Sequence, residues 1–165
     1  SATIIVTLGT AWVYKHIGKQ MIVANCHKVP AKEFSRYRLS IDETLAALKE
    51  ITAFPGKQYI FTVSPIRHLA DGEHGNQLSK ATLLLATDAL ISQAAAPASQ
   101  ATPASQPAQP SQAAGKDATS IYYFPAYEIV MDELRDFRHY AEDTVHPSAE
   151  TAEYIFSRFS ANCLK

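Results

Sequence analysis

The sequence predicts an α/β fold, with helices layered on a parallel sheet. Three observations lead there. Ile4-Ile5-Val6-Thr7-Leu8-Gly9 and Tyr59-Ile60-Phe61-Thr62-Val63 are nearly unbroken apolar runs, the pattern of strands buried on both faces. Segments with helical periodicity separate these runs. The order along the chain is strand, helix, strand, helix, strand, helix, helix, which suits a parallel sheet with helical crossovers.

The elements follow in order. Gly9 closes the first strand, and Met21–Ala24 reads as a short strand or hairpin arm in the connection after it. Ser40 and Glu43 then form an S-x-x-E capping box, with Ile41, Leu45, Leu48 and Ile51 at helical spacing behind it. Pro55-Gly56 ends this segment, and Tyr59–Val63 is the second strand, stopped by Ser64-Pro65. A helix is expected from near Asn76 to Ser92, with Leu78, Leu85 and Ala89 among its apolar positions.

From Gln93 to Thr119 the chain is almost entirely Ala, Pro, Ser, Gln and Thr. Such a composition has nothing to bury, so 93–119 reads as a flexible insertion in a single domain spanning 1–165. A Pro-rich docking role would need a P-x-x-P with basic flanks, which is not clear here. Ile121–Phe124 is the third strand. Glu128 to about Glu142 is expected as a helix anchored by Ile129, Leu134, Phe137 and Tyr140. Pro147 suits the first position of a final helix, with Ala152, Ile155, Phe156 and Phe159 as its buried stripe. Three parallel strands make a small sheet whose first strand starts within four residues of Ser1. Further strands and helices upstream are therefore expected, which would make this the C-terminal part of a larger domain.

Composition narrows the function. At 165 residues, 47% apolar and 19% charged, the chain suits one globular domain. A formal net charge of -1 offers no phosphate-binding face, so nucleic acid is set aside as a partner. No apolar run reaches the roughly 18 residues of a membrane span, and no secretory leader is seen. Cys26 and Cys163 are too few and too distant for a disulfide framework or a zinc site, which favours a reducing, cytoplasmic setting.

Chemistry is sought at the carboxyl ends of parallel strands. Gly9-Thr10-Ala11-Trp12, Ser64-Pro65-Ile66-Arg67-His68 and Pro125–Glu128 fall at one rim. Near the C-terminus, Asp143-Thr144-Val145-His146 has the spacing at which an acid can hold an imidazole by Nδ1 and leave Nε2 as a general base. The bland alternative is a capping acid beside a surface histidine. Spacing alone does not choose, because Asp71-x-x-His74 and Asp136-x-x-His139 repeat it. Only Asp143 and His146 follow the last strand's helix on an expected loop.

Arg67 and His68 could bind an anionic substrate group, or form a salt-linked loop. Cys26 beside His27 reads as a buried structural thiol rather than a nucleophile, since neighbours on extended chain point apart. His16, His27, His68 and His74 lack metal-ligand spacing, so no metal is expected. Ser64 is followed by Pro65, which has no N–H to serve an oxyanion, and is a poor nucleophile candidate.

Several stretches together resemble the GSCFA family, a group related to SGNH (GDSL-like) hydrolases. They are TLGTAWVY (Thr7–Tyr14), VANCHKVPAKEF (Val23–Phe34), TVSPIRHLADG (Thr62–Gly72), NQLSKA (Asn76–Ala81) and YFPAYEIVMDELRDFRHYAEDTVHPS (Tyr123–Ser148). The resemblance covers most of the chain outside the insertion. It implies a flavodoxin-like three-layer sandwich with five parallel strands, of which this chain holds the last three. It implies cofactor-independent serine chemistry on a small-molecule ester, with Asp143 and His146 as acid and base.

The family's Gly-Ser-Cys-Phe-Ala motif is absent here, which would place the nucleophile upstream of Ser1. In the G-x-N-D position of SGNH enzymes Gly9 is kept but Ala11 replaces Asn, so Trp12 Nε1–H or Asn25 would have to serve the oxyanion. Gly9, Thr10, Trp12 and Asn25 are accordingly the expected oxyanion and pocket residues, with Arg67 and His68 binding substrate. A non-catalytic ligand-binding module is the alternative, favoured by Ala11. A structural or interaction fragment docking through an open sheet edge is the third.

Overall fold

The computed structural model describes residues 2–24, 28–95 and 119–164. Its main sheet holds β1 (Thr3–Leu8), β5 (Gln58–Val63) and β6 (Ser120–Tyr123), all parallel, in the order β1-β5-β6. Between β1 and β5 lie β2 (Trp12–His16), β3 (Met21–Val23), β4 (Phe34–Arg38) and α1 (Ile41–Ile51). Between β5 and β6 lies α2 (Gly72–Ala95). After β6 come α3 (Ala126–Glu128), which runs on as a π-helical turn over Ile129–Leu134, and α4 (Ala149–Cys163).

Two crossovers of one hand, stepping the same way along a sheet, put their helices on the same face. Leu48 of α1 and Ala86 and Leu90 of α2 accordingly pack with Tyr59 and Phe61 in one core. The alternate residue of β5, Ile60, faces the other side and meets Phe124, Ile129 and Phe159. With α4 on that face the molecule has three layers, an α/β architecture compatible with the flavodoxin-like expectation. The insertion expected at 93–119 lies mostly outside the described residues, although α2 continues through Gln93 to Ala95.

The capping box of α1 is present. Glu43 N–H donates to Ser40 Oγ (3.1 Å) and Ser40 N–H to Glu43 Oε2 (2.8 Å). Leu48 is the buried anchor of α1, while Ile41 and Ile51 stay exposed.

Several expectations need correction. β1 alternates between exposed and half-buried, with Ile5 51% exposed, because β5 flanks it on one side and α4 lies over β5 and β6. β2 and β4 were not anticipated; with β3 they form an antiparallel sheet of order β3-β2-β4. Their charged WVYKH and FSRYR sequences hide the strand pattern, and the β2–β3 turn uses Gln20 at φ 52° in place of a glycine.

The buried residues of α2 are Asn76, Ser79, Lys80, Thr82, Leu83, Ala86, Thr87 and Leu90, and Leu78 and Leu85 point outward. The helix expected through Glu142 stops at Leu134. Arg135 adopts a left-handed conformation (φ 31°, ψ 20°), and Asp136 then caps a separate turn over Phe137–His139. Phe137 is 71% exposed and anchors nothing in the core. Pro147 does not begin α4. It forms an isolated bridge to Tyr140, and Ser148 caps the helix by accepting from Thr151 N–H at 3.2 Å. Phe159 is buried on α4 as expected, but Phe156 is 61% exposed.

Phe61 is fully buried at the centre of the larger core. Phe61→Ala should lower the unfolding free energy by about 3–5 kcal/mol in urea denaturation, the range for emptying an aromatic site.

Candidate functional site

The rim at the carboxyl ends of β1 and β5 is organised by one polar face of α2. Asn76, Ser79 and Lys80 stand at i, i+3 and i+4, so their side chains share that face. Ser79 Oγ accepts from Ala11 N–H (2.7 Å) and lies 3.0 Å from Thr10 Oγ1. Asn76 Oδ1 accepts from His68 N–H at 3.0 Å. Lys80, 1% exposed, donates from Nζ to Gly9 O (2.6 Å) and Ser64 O (2.7 Å), tying the ends of the two strands together. Burial without a carboxylate partner lowers the Lys80 pKa to about 8.

The Asp143–His146 loop docks on this rim. Arg67 N–H donates to Val145 O (3.0 Å) and Arg67 Nη1 to Thr144 O (2.9 Å). The loop closes on itself through Ala141 N–H to His146 O (2.8 Å) and Thr144 N–H to Ala141 O (2.9 Å), with Thr144 left-handed at φ 56°. Asp143 Oδ2 meets His146 Nδ1 at 2.6 Å, and Oδ1 accepts from His146 N–H (3.0 Å) and Val145 N–H (2.9 Å). Those bonds, led by the two from His146, hold the Asp143 carboxyl down at about 2.

A carboxylate at Nδ1 selects the tautomer that leaves Nε2 unprotonated, the form of a general base. Both side chains are solvent-exposed, and among the described residues no hydroxyl bonds His146 Nε2. Ser64 Oγ instead accepts from Ile66 N–H (3.3 Å), and Ser148 is the α4 cap.

The other two copies of the spacing do not pair. Asp71 is ion-paired with Arg36, and its side chain is 1% exposed. Asp136 caps Arg138 N–H at 3.0 Å, while His139 Nδ1 lies 3.3 Å from Thr151 Oγ1. Only the third copy joins its acid to its histidine.

The remaining expected residues spread around the rim. Gly9 spends its carbonyl on Lys80. Trp12 lies under the Arg36 guanidinium, 4.6 Å from ring centroid to Cζ, with Nε1 buried and without a hydrogen-bond partner among the described residues. Asn25 and Cys26 lie outside the described residues. Arg67 and His68 part company: Arg67 lines a cavity, whereas the His68 ring sits against the Gly9 backbone with Nε2 buried and in no well-aligned hydrogen bond among the described residues. Burial first, then nearby Lys80, lowers the His68 pKa. Among the described residues no group of three or more His, Cys, Asp or Glu could hold a metal ion, and no helix is long and apolar enough to cross a membrane.

The GSCFA family model matches residues 1–159, nearly the whole chain. The chain belongs to the GSCFA family. No curated protein and no solved structure gives a significant match. The site residues that sequence reasoning missed in this GSCFA chain are Asn76, Ser79 and Lys80. Their signal was present as polar residues at i, i+3 and i+4, which reads as a solvated face until the fold turns it inward.

Two measurements check this geometry. The Asp143 carboxyl should titrate near 2 by 13C NMR; since that lies below its ordinary 3.8, the stabilising tie persists above pH 4 and is lost as pH falls towards 2. Lys80→Met should cost roughly 1–3 kcal/mol by leaving buried carbonyls unpaired. In the parent chain stability should rise as pH passes from about 8 to 10.5, where the folded state has already shed a proton that the unfolded state keeps. That rise should be missing in Lys80→Met.

Proposed function

We propose that this chain carries the acid–base half of an SGNH-like serine acylhydrolase acting on a small-molecule ester. His146 is the general base and Asp143 orients it. The serine nucleophile comes from a segment upstream of Ser1. The observation that carries this reading is the 2.6 Å Asp143–His146 contact, made at one of three identical spacings and in the loop at the strand-end rim. Gly9, Thr10 and Trp12 form the wall at the oxyanion side, and Arg67 belongs to the substrate-binding side. O-acyl groups, including those on carbohydrate, are the substrate class we assign.

The experiment is serine-directed fluorophosphonate labelling of the longer native protein alongside this chain. The longer protein should label and this chain should not. Asp143→Asn should slow labelling by up to about 10⁴-fold, the effect of a mis-set histidine tautomer. His146→Ala should abolish it. A native, longer protein that never labels, or labels equally well without His146, sinks the proposal.

A second reading, a ligand-binding module on the same fold, is favoured by one observation. Ala11 supplies no side-chain donor, and its backbone N–H is held by Ser79 Oγ at 2.7 Å. Saturable ligand binding that survives His146→Ala, without turnover, would select it.

A further inference from the structure

Beside the Asp143–His146 loop lies a cavity of about 420 Å³, walled among others by Pro65, Arg67, Asn76, Gln77, Tyr127 and Tyr140. Arg67 and Tyr140 both touch the loop's own elements. Arg67 donates to Thr144 O, and Tyr140 bridges to Pro147. We propose that this cavity binds a small hydroxylated organic acid, whose carboxylate or phosphate pairs with Arg67.

The uncommitted Arg67 guanidinium leads to the anion. Arg67 is half-buried as a residue, with the rings of Phe137 and Tyr140 at 5.6 and 5.9 Å from Cζ. Among the described residues, its guanidinium makes one hydrogen bond, to a neutral carbonyl, and has no carboxylate within salt-bridge distance. The guanidinium therefore keeps donors for a forked oxyanion contact. The other charges lining the cavity are largely spent: Arg135 pairs with Asp132 (3.2 Å) and Asp136 with Arg138 (3.0 Å). Glu73 stands exposed in the first turn of α2 without an ion pair among the described residues, an acceptor suited to hydroxyl groups.

Two amides add donors. Asn76 presents Oδ1 to His68 N–H (3.0 Å), and since a backbone N–H can only donate, the orientation of this amide is settled. Gln77 Oε1 accepts from Tyr127 O–H at 2.8 Å. Both side-chain NH₂ groups remain for a ligand. Val130 and Met131, on the π-helical turn, supply apolar wall with Tyr127. A ring bearing hydroxyls on its edge and an acid at one end matches this lining. The inference deepens the hydrolase reading by naming its substrate's chemistry, and it rests on that reading only for the cavity's place beside the base.

The test is binding, which needs no turnover. The ¹⁵N-labelled chain is titrated with glucuronate, glucose 6-phosphate and neutral glucose, and the Arg67 Nε–H and the Asn76 and Gln77 side-chain amides are followed by NMR. At least one acid should shift these signals saturably, and glucose should bind about tenfold or more weakly. Whichever acid binds better identifies the oxyanion. Arg67→Met should weaken binding by about tenfold or more, and Glu73→Gln should not weaken the pairing of the acid with Arg67.

Because Arg67 also holds the loop, Gln77→Leu, at an exposed position, provides an independent variant. It should weaken binding several-fold without unfolding the chain. The proposal is overturned if neither acid binds saturably at millimolar concentration. It is equally overturned if glucose binds as well as the acids, or if folded Arg67→Met or Gln77→Leu binds like the parent. Retained acid binding with no fluorophosphonate labelling of the longer protein would remove the hydrolase reading alone. Labelling without acid binding would remove this one alone.

Discussion

The Lys80 ammonium, buried between the carbonyls of Gly9 and Ser64, is the contact on which the rim depends. Parallel strands end with carbonyls that have no further ladder partner, and here two such ends must lie side by side beneath a site. An ammonium can donate to both at once and needs no carboxylate, because two carbonyl dipoles share its charge. Burial still disfavours that charge, as the lowered pKa of Lys80 records. The arrangement persists because its removal would strand the carbonyls as well.

From that tie the site is assembled outward along one helix face. Ser79 receives the Ala11 N–H and Asn76 the His68 N–H, so α2 grips the connection after β1 and the connection after β5 together. The second connection in turn holds the Asp143–His146 loop, through the Arg67 backbone and guanidinium bonds to Val145 and Thr144. Asp143 and His146 are exposed, yet their loop is not adrift. It is closed at its neck by the Tyr140–Pro147 bridge, whose bonds run from Ala141 N–H to His146 O and from Ser148 N–H to His139 O.

The same network bears on chemistry. Ala11 N–H is committed to Ser79, so this backbone donor is not free to meet an oxyanion in the conformation described. Trp12 Nε1–H, buried and without a hydrogen-bond partner among the described residues, is an unspent donor beside it. His68, closest in sequence to Arg67, turns away under Gly9, where the neighbouring Lys80 ammonium and burial both oppose its protonation. Arg67 is left as the cation of this segment facing open space.

The sequence by itself determined the layered α/β class, the three parallel strands, the α1 capping box and the GSCFA membership, because apolar runs, cap chemistry and family motifs are local patterns. It also contained the Asp143–His146 spacing, which Asp71–His74 and Asp136–His139 repeat, and chain position and family motif singled out the third copy. Tertiary structure decided what each acid does: Arg36 takes Asp71, a local cap takes Asp136, and Asp143 pairs with its histidine. It likewise decided that the polar face of α2 points inward, that β2 and β4 form a second sheet, and that the helix after β6 stops at Leu134. For Asp71, the α2 face and the second sheet the deciding partner is distant in sequence, and at Arg135 the backbone is left-handed at a residue other than glycine. Neither leaves a mark in composition or spacing.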